Sequence, residues 1–93
     1  MAEKPKKAAA LKYMHGEDRA PRVVAKGRGS VAEKILETAR QHGIPIKEDK
    51  TLVEILSSLD LYQEIPAELY RAVAEILAFV YALNLKAKGE NKP

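Results

Sequence analysis

The strongest constraint in this chain is a periodicity near its C-terminal end. Leu69, Val73, Ile76, Val80 and Leu83 alternate spacings of four and three, which is one continuous apolar stripe on an α-helix. Pro66 lies just ahead and suits a first helical turn, because a helix has no use for the N–H that proline lacks there. Beside the first stripe runs a second, Tyr70, Ala74, Leu77 and Tyr81. A helix with two adjacent apolar stripes needs two surfaces to pack against. The chain has 93 residues, 46% hydrophobic and 31% charged, which supports one compact domain with a modest core. Apolar surface on this helix therefore exceeds what a small domain can cover.

Upstream, two helices and up to three strands are legible. Ala8 to Met14 reads as a strand ahead of the turn His15-Gly16-Glu17-Asp18, and Val23-Val24-Ala25 is a β-branched run entered through Pro21. Gly27-Arg28-Gly29 is expected to break that strand. Ser30-Val31-Ala32-Glu33 then has the form of a capping box, with Ser30 at the N-cap of a helix carrying Ala32, Ile35, Leu36 and Ala39 inward. Gly43 is placed to end it as the first residue past the cap. Ile44-Pro45-Ile46 reads as a third, edge strand, since Pro45 cannot donate to a ladder. Asp49 is the expected N-cap of a further helix that carries Leu52, Val53, Ile55, Leu56 and Leu59 into the core. The fold class is α/β, a small three-stranded sheet, or four-stranded if a further strand completes it, covered by about three helices. Residues 1–7 are expected to form a flexible basic arm, 8–85 the domain, and 86–93 a disordered tail.

Charge and composition narrow the function classes. The formal net charge is +3, yet residues 1–12 carry +3 and residues 86–93 carry +2, so residues 13–85 carry −2. A nucleic-acid module presents its basic stripe on the fold itself, and the local candidate is Arg19, Arg22, Lys26 and Arg28. There are no cysteines, which removes disulfides and thiolate metal sites and suits a reducing compartment. The longest nearly apolar run, Ile76 to Leu85, is about half the roughly 20 residues a membrane span needs, and the N-terminus has no signal-peptide core. A soluble chain is expected.

The residues offer little catalytic chemistry. His15 and His42 lie far apart, with no carboxylate spacing that would build a metal site around either, and His42 beside Gly43 suits a helix end. Ser30 is explained by capping, with no histidine base suggested near it. One alternative rests on Gly27-x-Gly29-x-x-Ala32 after a short strand, with Glu48 and Asp49 about 20 residues on, which resembles a dinucleotide-binding fingerprint. The chain is too short for a doubly wound sheet, and the glycines also suit a plain strand-to-helix turn. Neither a metal, a cofactor nor an enzymatic activity is expected.

Several segments occur here in the order of one known family. They are Ala10-Leu11-Lys12-Tyr13, Ala20-Pro21-x-Val23-Val24-Ala25-Lys26-Gly27-x-Gly29, Ile44-Pro45-Ile46, Gln63-Glu64-Ile65-Pro66-x-Glu68-Leu69-Tyr70, and the run Ala72 to Tyr81. Together they resemble the C-terminal cytoplasmic domain of the flagellar and type III secretion export-switch protein, the FlhB/YscU family, over residues 8–84. The family's Asn-Pro-Thr-His self-cleavage segment corresponds here to Glu3, Lys4, Pro5 and Lys6, so both the attacking asparagine and the histidine are replaced and self-cleavage is not carried over. The family's membrane-embedded part and the strand ahead of the cleavage site have no counterpart. The resemblance thus implies a free-standing homologue of the cleaved piece, cytoplasmic, peripheral to the membrane at most, and non-enzymatic. It would bind export substrates or components of the export gate, as an accessory to or partial substitute for the switch domain. In the family an Ala-Pro pair and an alanine and leucine of the last helix form a small hydrophobic pocket for a short motif of early substrates; these fall here on Ala20, Pro21, Ala74 and Leu77. The missing strand also implies an open sheet edge at Ala8 to Met14, a route to self-association or to a partner's strand, with Lys4, Pro5, Lys6 and Lys7 as alternative edge guards. The rival readings are a nucleotide- or nucleic-acid-binding module using the Gly27-Gly29 turn and the basic ends, a structural domain without a partner, and, for Tyr70, Ala74, Leu77 and Tyr81, plain core.

Overall fold

A computed structural model describes residues 6–90, with side chains described as far as Leu83. Strands β1 (Lys7–Lys12) and β2 (Arg22–Arg28) form an antiparallel hairpin. Ala8 pairs with Gly27 and Ala10 with Ala25, after which Leu11 pairs with Val23, so Val24 is the extra residue of a β-bulge. Helix α1 spans Ser30–Gln41 and α2 Lys50–Ser57; a 3-10 turn at Ala67–Leu69 leads into α3, Tyr70–Glu90.

The core lies on one face of the hairpin. Ala20, Val23, Leu52, Leu56, Ile65, Leu69 and Val73 are buried together, and Ala9 and Leu11 of β1 pack onto them. Side chains alternate along a strand, so Ala8 faces the other way. It is buried there, and α1, which packs against both strands and buries Ala32 completely, covers that second face.

The third strand expected at Ile44-Pro45-Ile46 does not form. Two of its three residues have no donor to offer: the Ile44 N–H closes the end of α1 on the Ala39 carbonyl at 2.8 Å, and Pro45 has none. Gly43, at φ 67°, donates to the Arg40 carbonyl at 3.2 Å, which completes the helix-ending motif expected of it. The sheet of the described residues is therefore two-stranded, extended by an isolated bridge between Arg22 and Glu64 on the far side of β2. Beyond β1's other edge no strand pairs among the described residues.

Other boundaries also move. Ser30 is not the N-cap: Gly29, at φ 62° and ψ −129°, turns the chain into α1 one residue earlier, with no side-chain cap bond. The strand runs through Gly27 instead of breaking there. A Cβ on Gly27 would collide with Val31, 2.8 Å from its Cβ and nearer still to its Cγ1, so the glycine is needed where α1 crosses the hairpin. Asp49 does cap α2, its Oδ1 accepting the Leu52 N–H at 2.9 Å. Ile55 of that helix is 41% exposed and not in the core. The backbone of α3 continues to Glu90, where a disordered tail was expected from residue 86; Lys86-Ala87-Lys88 are good helix formers, and cations suit a helix C-terminus. The substituted cleavage positions Glu3, Lys4 and Pro5 lie outside the described residues, as do the rest of the N-terminal arm before Lys6 and residues 91–93.

Candidate functional site

The described residues contain no cluster of metal-ligating side chains and no helix long and apolar enough to cross a membrane. His42 closes α1, with its Nδ1 2.9 Å from the Thr38 carbonyl oxygen, and the His15 ring meets Tyr13 edge-on at 6.3 Å. Asp49 is committed to capping α2 and Gly27 to clearing Val31, so the residues that suggested a nucleotide fingerprint have structural uses.

The four residues that the sequence nominated for partner binding meet at one place. Ala20 and Pro21, on the loop entering β2, face Ala74 and Leu77 of α3 across an open apolar groove of about 210 Å³, with Ile65 and Val73 also lining it. Backbone hydrogen bonds hold the loop side. The Ile65 N–H donates to the Pro21 carbonyl at 2.9 Å, and the Tyr62 N–H to the Val23 carbonyl at 2.7 Å. A turn sets the approach to Ala20: the Glu17 and Asp18 N–H groups donate to the Met14 carbonyl, and the Asp18 carboxylate accepts the Met14 N–H at 2.8 Å. On the other wall, the i, i+3 spacing puts Ala74 and Leu77 on one helical face, where the small alanine leaves room for an incoming group.

The groove walls differ in burial. Ala20 and Pro21 are buried, Leu77 is half-buried against the core, and Ala74 is exposed. Tyr70 is 48% and Tyr81 65% exposed, so the second stripe of α3 is not core, apart from the part of Leu77 that packs inward. Tyr13 and Arg19, which the sequence did not nominate, also line the groove, along with Tyr70. Arg19 directly precedes Ala20, and that adjacency was the available signal; Tyr13 directly follows β1, where only the folded chain reveals its proximity.

Residues 5–80 match the model of the FlhB HrpN YscU SpaS family. The chain belongs to this family. Among its relatives is YlqH of Bacillus subtilis (strain 168), an uncharacterised protein, 46% identical over 85 residues that make up 91% of each chain. The flagellar biosynthetic protein FlhB of Aquifex aeolicus is 45% identical over 74 residues, 78% of this chain but 21% of FlhB. The chain thus spans nearly all of the first relative and about a fifth of the FlhB proteins it matches. The crystal structure of the cytoplasmic domain of FlhB from Shewanella putrefaciens superposes with a TM-score of 0.82 at 42% identity, covering 94% of this chain and 69% of that one. The PscU C-terminal domain superposes with a TM-score of 0.73 at 31% identity, covering 78% and 94%. The fold is therefore that of the C-terminal cytoplasmic domain of the FlhB/YscU family.

Proposed function

We propose that this chain is a non-enzymatic, cytoplasmic protein-binding domain of the flagellar or type III export system. It serves as an accessory to, or partial substitute for, the export-switch C-terminal domain, and it receives an apolar side chain of an export substrate in the groove between the Ala20-Pro21 loop and α3. One observation carries this reading: residues more than fifty positions apart in sequence, Ala20 and Pro21 with Ala74 and Leu77, line one open apolar groove on the surface. Its size is suitable. An apolar cavity of about 150 Å³ is enough for a benzene-sized group, and this groove, at about 210 Å³, has room for one aromatic or branched side chain. Apolar area supplies the attraction, at roughly 25 cal/mol per Å² removed from water.

The test compares Ala74→Asp with the unaltered chain for binding to an early export substrate, alongside thermal melting. Ala74 is exposed, so the variant should fold normally while placing a hydrated carboxylate where the apolar anchor sits. Loss of binding with an unchanged melting point supports the groove; unchanged binding sinks it. Leu77→Asp is the less clean partner, because Leu77 also packs on the core and its loss would lower stability.

A further inference from the structure

Of the four basic residues that cluster in the sequence between positions 19 and 28, the fold gives each a different fate. Lys26 Nζ donates to the Ser57 carbonyl, at 3.1 Å, and to the Leu59 carbonyl. Arg22 is held by Glu64, Nη2 to Oε2 at 3.1 Å, with its Nη1 reaching the Tyr62 carbonyl. Arg28 stands at the far end of β2, paired with Lys7. Arg19 alone of the four lines the apolar groove, and it is the one charged residue among the described residues that do.

Its guanidinium is only loosely engaged. The Arg19 side chain is 89% exposed, and the carboxylate it meets among the described residues, Glu64 Oε1, is 3.9 Å away, while that same Glu64 makes the shorter contact with Arg22. Two guanidinium groups thus share one carboxylate, and the shorter contact belongs to Arg22, so the Arg19 donors are largely free to meet a group at the rim of the groove. The acidic residues that precede Arg19 stay outside the groove: neither Glu17 nor Asp18 lines it, and the Asp18 carboxylate accepts the Met14 N–H, so Arg19 acts there as a local hydrogen-bond donor and not through a net positive field.

Resting on the groove reading above, we infer that Arg19 is a specificity-determining residue, and that the groove prefers a segment in which a carboxylate side chain flanks the apolar anchor. The anchor occupies the space between Pro21 and Leu77, and the flanking Asp or Glu accepts hydrogen bonds from the Arg19 guanidinium, whose planar fork matches a carboxylate. A segment with lysine or arginine in that flanking position is disfavoured by the same charge. The gain is modest, because the contact sits at an exposed rim and is screened by salt.

The experiment uses short fluorescent peptides that are polar apart from one phenylalanine, made in pairs with Glu or Gln at each flanking position, titrated against the whole chain by fluorescence polarisation. The best Glu peptide is expected to bind about twofold to fivefold more tightly than its Gln counterpart at low ionic strength. The difference disappears in Arg19→Gln, reverses in Arg19→Glu, and shrinks at high salt. Arg28→Gln removes the same charge away from the groove and is expected to leave the difference intact, which separates a local contact from net charge. If Glu and Gln peptides bind equally, or if their difference survives Arg19→Gln, while Ala74→Asp abolishes the binding of both, the inference about Arg19 falls and the groove reading stands. If no peptide binds, or binding ignores Ala74→Asp, the groove reading falls and takes the inference with it.

Discussion

Replacing Lys26 by methionine tests how the hairpin is tied to α2. The Lys26 ammonium donates to two carbonyls at the C-terminal end of that helix, Ser57 and Leu59, from a half-buried position on β2. A cation there meets the negative end of the helix and satisfies carbonyl groups that the helix leaves without partners. Methionine keeps an unbranched, apolar stem of similar reach and removes the charge, so packing is largely retained. Hydrogen bonds to a charged group contribute about 1.5–3 kcal/mol, and a cation at a helix C-terminus contributes up to about 2 kcal/mol when partly buried. These describe the same contact and are counted once, which gives a loss of about 2 kcal/mol for Lys26→Met. In a domain of this size about 4–8 °C of melting temperature corresponds to each kcal/mol, so a fall of roughly 8–16 °C is expected. Thermal melting measures that fall, and urea unfolding followed by far-ultraviolet circular dichroism measures the loss of free energy, with an unchanged slope showing that the transition is the same. Lys34→Met, on the exposed face of α1, is the control and should stay within about 0.5 kcal/mol of the parent. A Lys26→Met variant as stable as that control would refute the tie.

Three further predictions follow from particular residues. Gly27→Ala should destabilise the fold by about 1–3 kcal/mol in chemical denaturation, because the new Cβ meets a β-branched side chain that cannot rotate away, and Val31→Ala should restore only part of the loss since it keeps its own Cβ. Tyr62 sits at φ 66° and is two-thirds exposed, so Tyr62→Asn should raise stability by about 1 kcal/mol by relieving a left-handed conformation that asparagine tolerates; a lower melting point would show that the ring contributes more than the strain costs. The purified chain should keep its intact mass on incubation at neutral pH, since Glu3 and Lys6 stand where the family has asparagine and histidine, and a specific cleaved product near residues 3–6 in the mass spectrum would contradict this.

Local signals sufficed wherever a residue's conformation depends on its near neighbours in the chain. The helical stripe from Leu69, the Gly43 terminus of α1 and the Asp49 cap of α2 were all legible, because helix periodicity and capping are settled within a few residues. So were two strands and the turn between them, whereas their antiparallel pairing came from the fold. The misreadings arose where two local signals competed. Ser30 has the sequence of an N-cap, yet Gly29 can adopt a positive φ and took the position. Ile44 and Ile46 have the composition of a strand, yet the Ile44 N–H was claimed by the end of the preceding helix and Pro45 had none to offer.

The sequence by itself determined that this is a small α/β domain with one long helix carrying more apolar surface than its core can use, and it named Ala20, Pro21, Ala74 and Leu77 through a family likeness. Only the tertiary structure decided that these four share a groove, because their proximity depends on the Gln63-Glu64-Ile65 segment crossing beside β2 and bringing the start of α3 against the Ala20-Pro21 loop. It also decided what the basic residues do. In sequence, Arg19, Arg22, Lys26 and Arg28 are one cluster of like charge. In the fold, Lys26 is drawn to the end of α2 and Arg22 to Glu64, and Arg19 stands at the rim of the groove. A charge acts through what lies within a few ångströms of it, and those neighbours come from segments thirty or more residues away, which no local pattern specifies.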